Sequence, residues 1–134
     1  MTDYASAADA FAAMDAAQAE VRSRLRALAE ATPSARAFTS SLLADLERHS
    51  EARTALRQRL GLAAAAAGAF VAADEALSLE ALRAAQERLV YAHAEGLPAI
   101  GDAFAVDALA HHMVDLSRHL TVTTLWIEVE AERG

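Results

Sequence analysis

Five Gly and two Pro are the only strong breaks in a chain of 134 residues otherwise rich in Ala, Leu, Arg and Glu. Apart from the final Gly134 they fall at Pro33, at Gly61 and Gly68, and at Gly96, Pro98 and Gly101. Between these points apolar residues recur every three or four positions, and no segment alternates as a strand would. Good helix formers with that spacing make helices with one apolar face. Four helices are therefore expected. The first runs from about Thr2 to Glu30, with Ala7, Phe11, Met14, Val21, Leu25 and Leu28 inward. The second runs from about Ser34 to Leu60, with Phe38, Leu42, Leu46, Leu56 and Leu60 inward. The third, about Ser78 to Glu95, buries Leu79, Leu82, Leu89 and Val90. The fourth runs from about Ala103 to Glu132.

The breaks set the helix ends. Pro33 suits a helix start, and Gly61 suits a left-handed cap behind Leu60. Gly96 and Pro98 are expected to end the third helix, and Asp102 to cap the fourth. The fourth is apolar over more of its circumference than the others, with Leu109, Met113, Leu116, Leu120 and Ile127 on one side and Phe104, Val122 and Trp126 on another. It is expected to be central or to form a homodimer interface.

The links between helices are short, long, short. Short links make antiparallel hairpins of the first two helices and of the last two, while residues 62–77 are long enough to return along the bundle. The expected architecture is thus all-α, a single domain over 1–134, an antiparallel four-helix bundle with a long crossover between the second and third helices. An up-down-up-down bundle with an Ala-rich elbow is the alternative.

Composition narrows the function. The chain has no Cys, so thiolate metal sites, disulfides and Cys nucleophiles are excluded, and any metal must be held by His and carboxylate. All basic residues are Arg, which removes Lys-based Schiff-base chemistry. A net charge of −7, with Arg scattered among Glu and Asp, disfavours nucleic acid. No apolar run approaches the roughly 18 residues of a membrane span. The first residues lack the basic region and apolar run of a secretory signal, so a cytoplasmic location is expected. No Gly-rich phosphate loop and no nucleophile elbow occur.

Within this frame one sequence echoes another. "DLERH", Asp45 to His49, and "DLSRH", Asp115 to His119, share Asp-Leu-x-Arg-His, and each lies in the second helix of its hairpin. At about 100° per residue His49 points into the stripe of Leu42, Leu46 and Leu56, with Asp45 on its edge. His93 falls at the centre of the third helix's stripe. On the fourth, His112 and His119 share a side with Asp115 between them. His111 falls on the solvated side, and Glu130 falls on the side of His112 and His119 as a late ligand. Buried imidazoles and carboxylates need compensation, from hydrogen bonds or from a metal ion. The expected site is a transition-metal centre, of iron, zinc or manganese, built from His49, His93, His112 and His119, with Asp45 and Asp115 as ligands or as acceptors that orient the rings. Three His on one ion would also suit a metal-bound water as a hydrolytic nucleophile. The competing expectation is that His49 and His119 bond to Asp or Tyr across the core of a metal-free interaction or oligomerisation protein without catalytic activity. Trp126, Tyr4 and Tyr91 are expected as core or interface aromatics.

The connectivity, with ligand-type residues repeated on the second helix of each pair, resembles the ferritin-like superfamily across Thr2 to Glu132. That resemblance implies metal ligands at these positions. Its di-iron members carry Glu on the first and third helices and Glu-x-x-His on the second and fourth. Here His93 stands where a Glu is expected, and the second and fourth helices carry Asp-x-x-x-His. Glu20, Glu47, Glu51 and Glu87 project away from the stripes. A His-rich mononuclear site fits these residues better than a carboxylate-bridged pair of irons.

Overall fold

A computed structural model describes residues 6–64 and 78–133. The described residues form four helices: α1 (Ala7–Ala31), α2 (Arg36–Arg59), α3 (Leu79–Ile100) and α4 (Ala103–Arg133), with a 3-10 turn over Pro33–Ala35 leading into α2. The start expected at Thr2 and the Ala-rich stretch 65–77 lie outside the described residues.

Local chemistry fixes most ends. Ser6 caps α1 by accepting from the Asp9 amide at 3.1 Å, and Ser78 caps α3 by accepting from the Ala81 amide at 3.0 Å. Asp102 caps α4 as expected, accepting from the Ala105 amide at 2.9 Å. Gly61 closes α2 in the left-handed region at φ 69°.

The end of α3 differs from expectation. The helix passes through both Gly96 and Pro98 and stops at Gly101, whose φ of 67° makes it the left-handed cap. Pro98 removes the donor that the Ala94 carbonyl would use, but both residues lie on the exposed face, where water can take over that role. Gly96 is buried and serves packing. A Cβ there would come within 2.9 Å of Met14 Cε and 3.1 Å of Ala10 Cβ, so its absence lets α1 and α3 approach closely.

Two apolar clusters fill the interior. The first joins Ala10, Phe11 and Met14 of α1, Leu56 of α2, Ala92 and Ile100 of α3, and Ala105 and Leu109 of α4. The second joins Val21 and Leu25 of α1, Leu42 and Leu46 of α2, Leu82, Ala85 and Leu89 of α3, and Leu116 of α4. Every helix thus contributes to both. The most extensive contacts are between α1 and α3 and then α3 and α4, while α2 and α4 share the slimmest.

On α4 the buried face is narrower than expected, because Leu109 and Leu116 are followed along it by His119 and Thr123. Phe104 is not a core residue. It is 60% exposed and covered on one side by the Arg59 guanidinium, 4.7 Å from its ring centroid. Trp126 packs on Phe38, with centroids 5.2 Å apart. Among the described residues no helix is long and apolar enough to cross a membrane.

Candidate functional site

Between the two apolar clusters lies a polar layer to which all four helices contribute. The stripes that carry Met14 and Val21, Leu46 and Leu56, Leu89 and Ile100, and Leu109 and Leu116 place Gln18, His49 with Arg53, His93 and His112 between those apolar residues. His49, His93, Arg53 and Gln18 are buried, and His112 is partly buried.

The "DLERH" and "DLSRH" segments meet here as a reciprocal pair. His49 of α2 bonds through Nε2 to Asp115 Oδ2 of α4 at 2.8 Å, and His119 of α4 bonds through Nε2 to Asp45 Oδ2 of α2 at 2.8 Å. Each His therefore uses the Asp of the other segment, across the slimmest contact in the bundle. The two pairs are unequal. Asp45 also accepts from Arg118 at 2.6 Å and from Arg48, whereas Asp115 is more open to solvent. Burial works against ionising Asp45, but the donors His119 and Arg48 outweigh it and hold the carboxyl well below its ordinary value, at about 2.

All four imidazoles are held neutral. Desolvation is the largest cause in each case and pushes His93 to about 4 and His112 to about 3, with His49, His93 and Arg53 adding like-charge repulsion around His112. His49 and His119 are also lowered, because burial outweighs the help from Asp115 and Asp45. Neutral rings beside ionised carboxylates fix the tautomers: the nitrogen on the carboxylate carries the proton and the other keeps a lone pair. His93 is fixed in the same manner by donating from Nδ1 to the Leu89 carbonyl at 2.9 Å. The second nitrogens, His49 Nδ1, His93 Nε2 and His119 Nδ1, are buried without a hydrogen-bond partner among the described residues, and so is His112 Nδ1.

The rings of His49, His93 and His112 form one group. His49 and His112 stack with centroids 4.1 Å apart and planes 16° apart, and His93 meets His112 edge-on at 6.3 Å. An imidazole lone pair lies in its ring plane, so the steeply inclined planes of His93 and His112 cross, whereas the nearly parallel planes of His49 and His112 do not converge on one point. Among the described residues no set of three His, Asp or Glu side chains is arranged to hold a metal ion as the rings stand. His119 lies two turns along α4 from His112, roughly 10 Å of helix rise, and is anchored to Asp45. Of the six expected site residues, three rings are thus gathered, Asp45 and Asp115 act as acceptors, and His119 stands apart. His111 is exposed beside Asp107, as expected, and Glu130 is not part of the group, since it pairs with Arg133 at the end of α4.

The layer also holds residues that the stripe reading passed over. Arg53 is 1% exposed and donates from Nε to Asp15 Oδ1 at 2.9 Å and from Nη2 to Gln18 Oε1 at 2.5 Å, leaving Nη1 without a partner among the described residues. Arg57 binds the other oxygen of Asp15 at 2.5 Å and lies over Phe11. Gln18 completes the chain by donating to the Leu46 carbonyl at 3.1 Å. These positions were readable: 11, 14, 18, 21 and 25 make one stripe, as do 42, 46, 49, 53 and 56. No family model, curated protein or solved structure matches this chain.

Proposed function

We propose that this chain is a ferritin-like four-helix bundle that binds a transition metal ion in its interior through His49, His93 and His112. The order in which the helices enter the two clusters supports the bundle topology. Going along the chain, α1 and α4 pass from the first cluster to the second, and α2 and α3 pass from the second to the first. That order fits antiparallel hairpins and a connection between α2 and α3 that returns along the bundle.

The observation that carries the metal reading is the set of buried imidazole nitrogens without partners. In metal sites a ligating His commonly donates its other N–H to a carboxylate or backbone carbonyl, which fixes the tautomer and turns a lone pair to the ion. His49 on Asp115 and His93 on the Leu89 carbonyl have that arrangement. Asp45 and Asp115 then act as outer acceptors rather than ligands. A neutral imidazole set favours zinc or iron over manganese, which prefers oxygen ligands. An ion would supply a Lewis-acid position inside the bundle. Holding it requires the His112 ring to turn off His49, and His112 carries no competing bond at Nδ1.

Metal content of protein purified without an affinity tag tests this, together with melting after addition of zinc, iron(II) or cobalt(II). About one ion per chain and a raised melting temperature are expected, with both lost in His93→Gln. A metal-free protein whose melting ignores all three ions overturns the reading. That outcome would favour a second reading, in which the reciprocal Asp–His pairs serve only to fix the bundle and the protein acts through its surface. The exposed Val114, Leu125 and Val129 of α4 favour that alternative, with homodimerisation through α4 as its form.

A further inference from the structure

We infer a second polar site inside the bundle, in which Gln86 of α3 and His119 and Thr123 of α4 together hold one ordered water. The site lies apart from His49, His93 and His112, and it stands whether or not those rings bind a metal.

The register of the helices brings these residues to one level. His93 of α3 meets His112 of α4 with ring centroids 6.3 Å apart. From that contact both helices lead into the second apolar cluster, α3 backward through Leu89 to Leu82 and α4 forward to Leu116. Seven residues make about two helical turns, so Gln86 and His119 repeat the pairing of His93 with His112 roughly 10 Å further along. His119 is held there by its bond through Nε2 to Asp45 Oδ2 at 2.8 Å, which leaves Nδ1 on the other side of the ring. Thr123 follows one turn later on the same face, and Cβ atoms four residues apart are roughly 5–6 Å from each other. A molecule that makes two hydrogen bonds of about 2.8 Å spans such a gap.

All three side chains are enclosed, at 3% exposure for Gln86, 1% for His119 and 0% for Thr123. Among the described residues Gln86 Nε2 and Oε1, His119 Nδ1 and Thr123 Oγ1 have no hydrogen-bond partner. Thr123 stands out against two other helical threonines. Thr54 and Thr121 each donate to the carbonyl four residues back, Ser50 and Ser117, at 3.1 Å, and both lie on exposed faces. Thr123 lies inside and leaves that option unused. Buried polar atoms without partners are costly, and here four of them belong to neighbouring positions.

The chemistry of the set selects the guest. With its Nε2–H given to Asp45, His119 presents Nδ1 as an acceptor. Gln86 offers a donor and an acceptor, and the Thr123 hydroxyl can serve as either. Asp45, the carboxylate bound to His119, is already shared among His119, Arg118 and Arg48, so a cation would find no free counter-charge. An anion would face His119 Nδ1 and Gln86 Oε1. A neutral molecule that donates and accepts at once fits, and water is the smallest; internal waters typically make about three hydrogen bonds. Donating to His119 Nδ1 and accepting from Gln86 Nε2 and Thr123 Oγ1, it would tie α3 to the bridge that Asp45 and His119 form between α2 and α4.

The test uses the full chain, metal-free and labelled with nitrogen-15. Nuclear Overhauser transfer from water to the Gln86 side-chain amide is expected, with the sign of a long-lived neighbour. Oxygen-17 relaxation dispersion of the solvent then counts the waters held inside. The double variant Gln86→Leu with Thr123→Val removes the α3 partner and one α4 partner, and its dispersion amplitude is expected to fall by about one water per chain. If that variant does not fold, Thr123→Val alone, which keeps the side-chain shape, is expected to shorten the residence time of that water. Dispersion unchanged in these variants overturns the site. So does the absence of water transfer to Gln86 in the wild-type chain, which would mean that the amide turns to bond His119 directly.

Discussion

At the residue scale, the two Asp of the repeated segments have different amounts of work. Asp45 sits between α2 and α4 and receives His119, Arg118 and Arg48, whereas Asp115 receives His49 and is 38% exposed at its side chain. Replacing Asp45 with Ala strands the buried His119 N–H and removes an anion that two Arg face. We expect a loss of about 2–4 kcal/mol in denaturant unfolding. Asp115→Ala leaves only His49 without its acceptor, at a site that water can reach, and about 1 kcal/mol is expected. Equal losses for the two variants would contradict this account of the pair. The inward positions of Asp45 and His119 were legible in the sequence, and so was the expectation that His49 and His119 bond to Asp or Tyr across the core, but which Asp serves which His was not. Helical projection gives the direction of a side chain within its own helix and contains nothing about which helix stands opposite. Arg53 and Gln18 illustrate a different lapse, since both fall on stripes the periodicity defines. Charged and polar side chains are seldom buried unless paired, and the bonds to Asp15 and Leu46 that hold these two inside come from tertiary structure.

At the element scale, α3 shows how one residue type can carry two signals. Gly96 and Pro98 together read as a helix end, yet the helix continues for another turn and ends at Gly101. Local propensity disfavours Gly in a helix by about 1 kcal/mol, and close packing against α1 is what offsets that cost. Gly96→Ala tests the balance. The added methyl would improve helix propensity, and Met14 Cε can swing aside, but Ala10 Cβ at 3.1 Å is fixed to the α1 backbone. We expect net destabilisation of about 1 kcal/mol, and a larger loss for Gly96→Val, with the change read from urea midpoints. Stabilisation by Ala would mean that the α1–α3 approach has slack. The ends of the other helices were plainer, because Ser6, Ser78 and Asp102 cap by side-chain bonds made within three residues, a range that sequence reading covers. The wide apolar circumference of α4 was the weaker guide. Phe104, Val114 and Leu125 are exposed, while His119 and Thr123 take places on the buried face.

For the whole molecule, the layer of neutral imidazoles couples stability to pH. In the unfolded chain His titrates near 6.5, while in the folded protein His93 and His112 titrate at about 4 and about 3, and His49 and His119 are also lowered. The folded state therefore binds fewer protons than the unfolded state once the pH drops below the ordinary His value. Stability is present in full above about pH 7 and falls as the pH descends through 6.5 toward 4, by about 1.4 kcal/mol per pH unit for each additional proton taken up on unfolding. Asp45 acts in the same direction but lower, between its unfolded value of 3.8 and about 2. With four His involved, metal-free protein is expected to show a steep decline in melting temperature between pH 6.5 and 4. His93→Gln should flatten that decline by about one proton. The proposed metal would need the same neutral nitrogens, so protons would compete with it, and any rise in melting temperature on adding metal should shrink over the same interval. A decline confined to pH below 4 would assign the acid sensitivity to the carboxylates instead and remove the imidazole layer as its source.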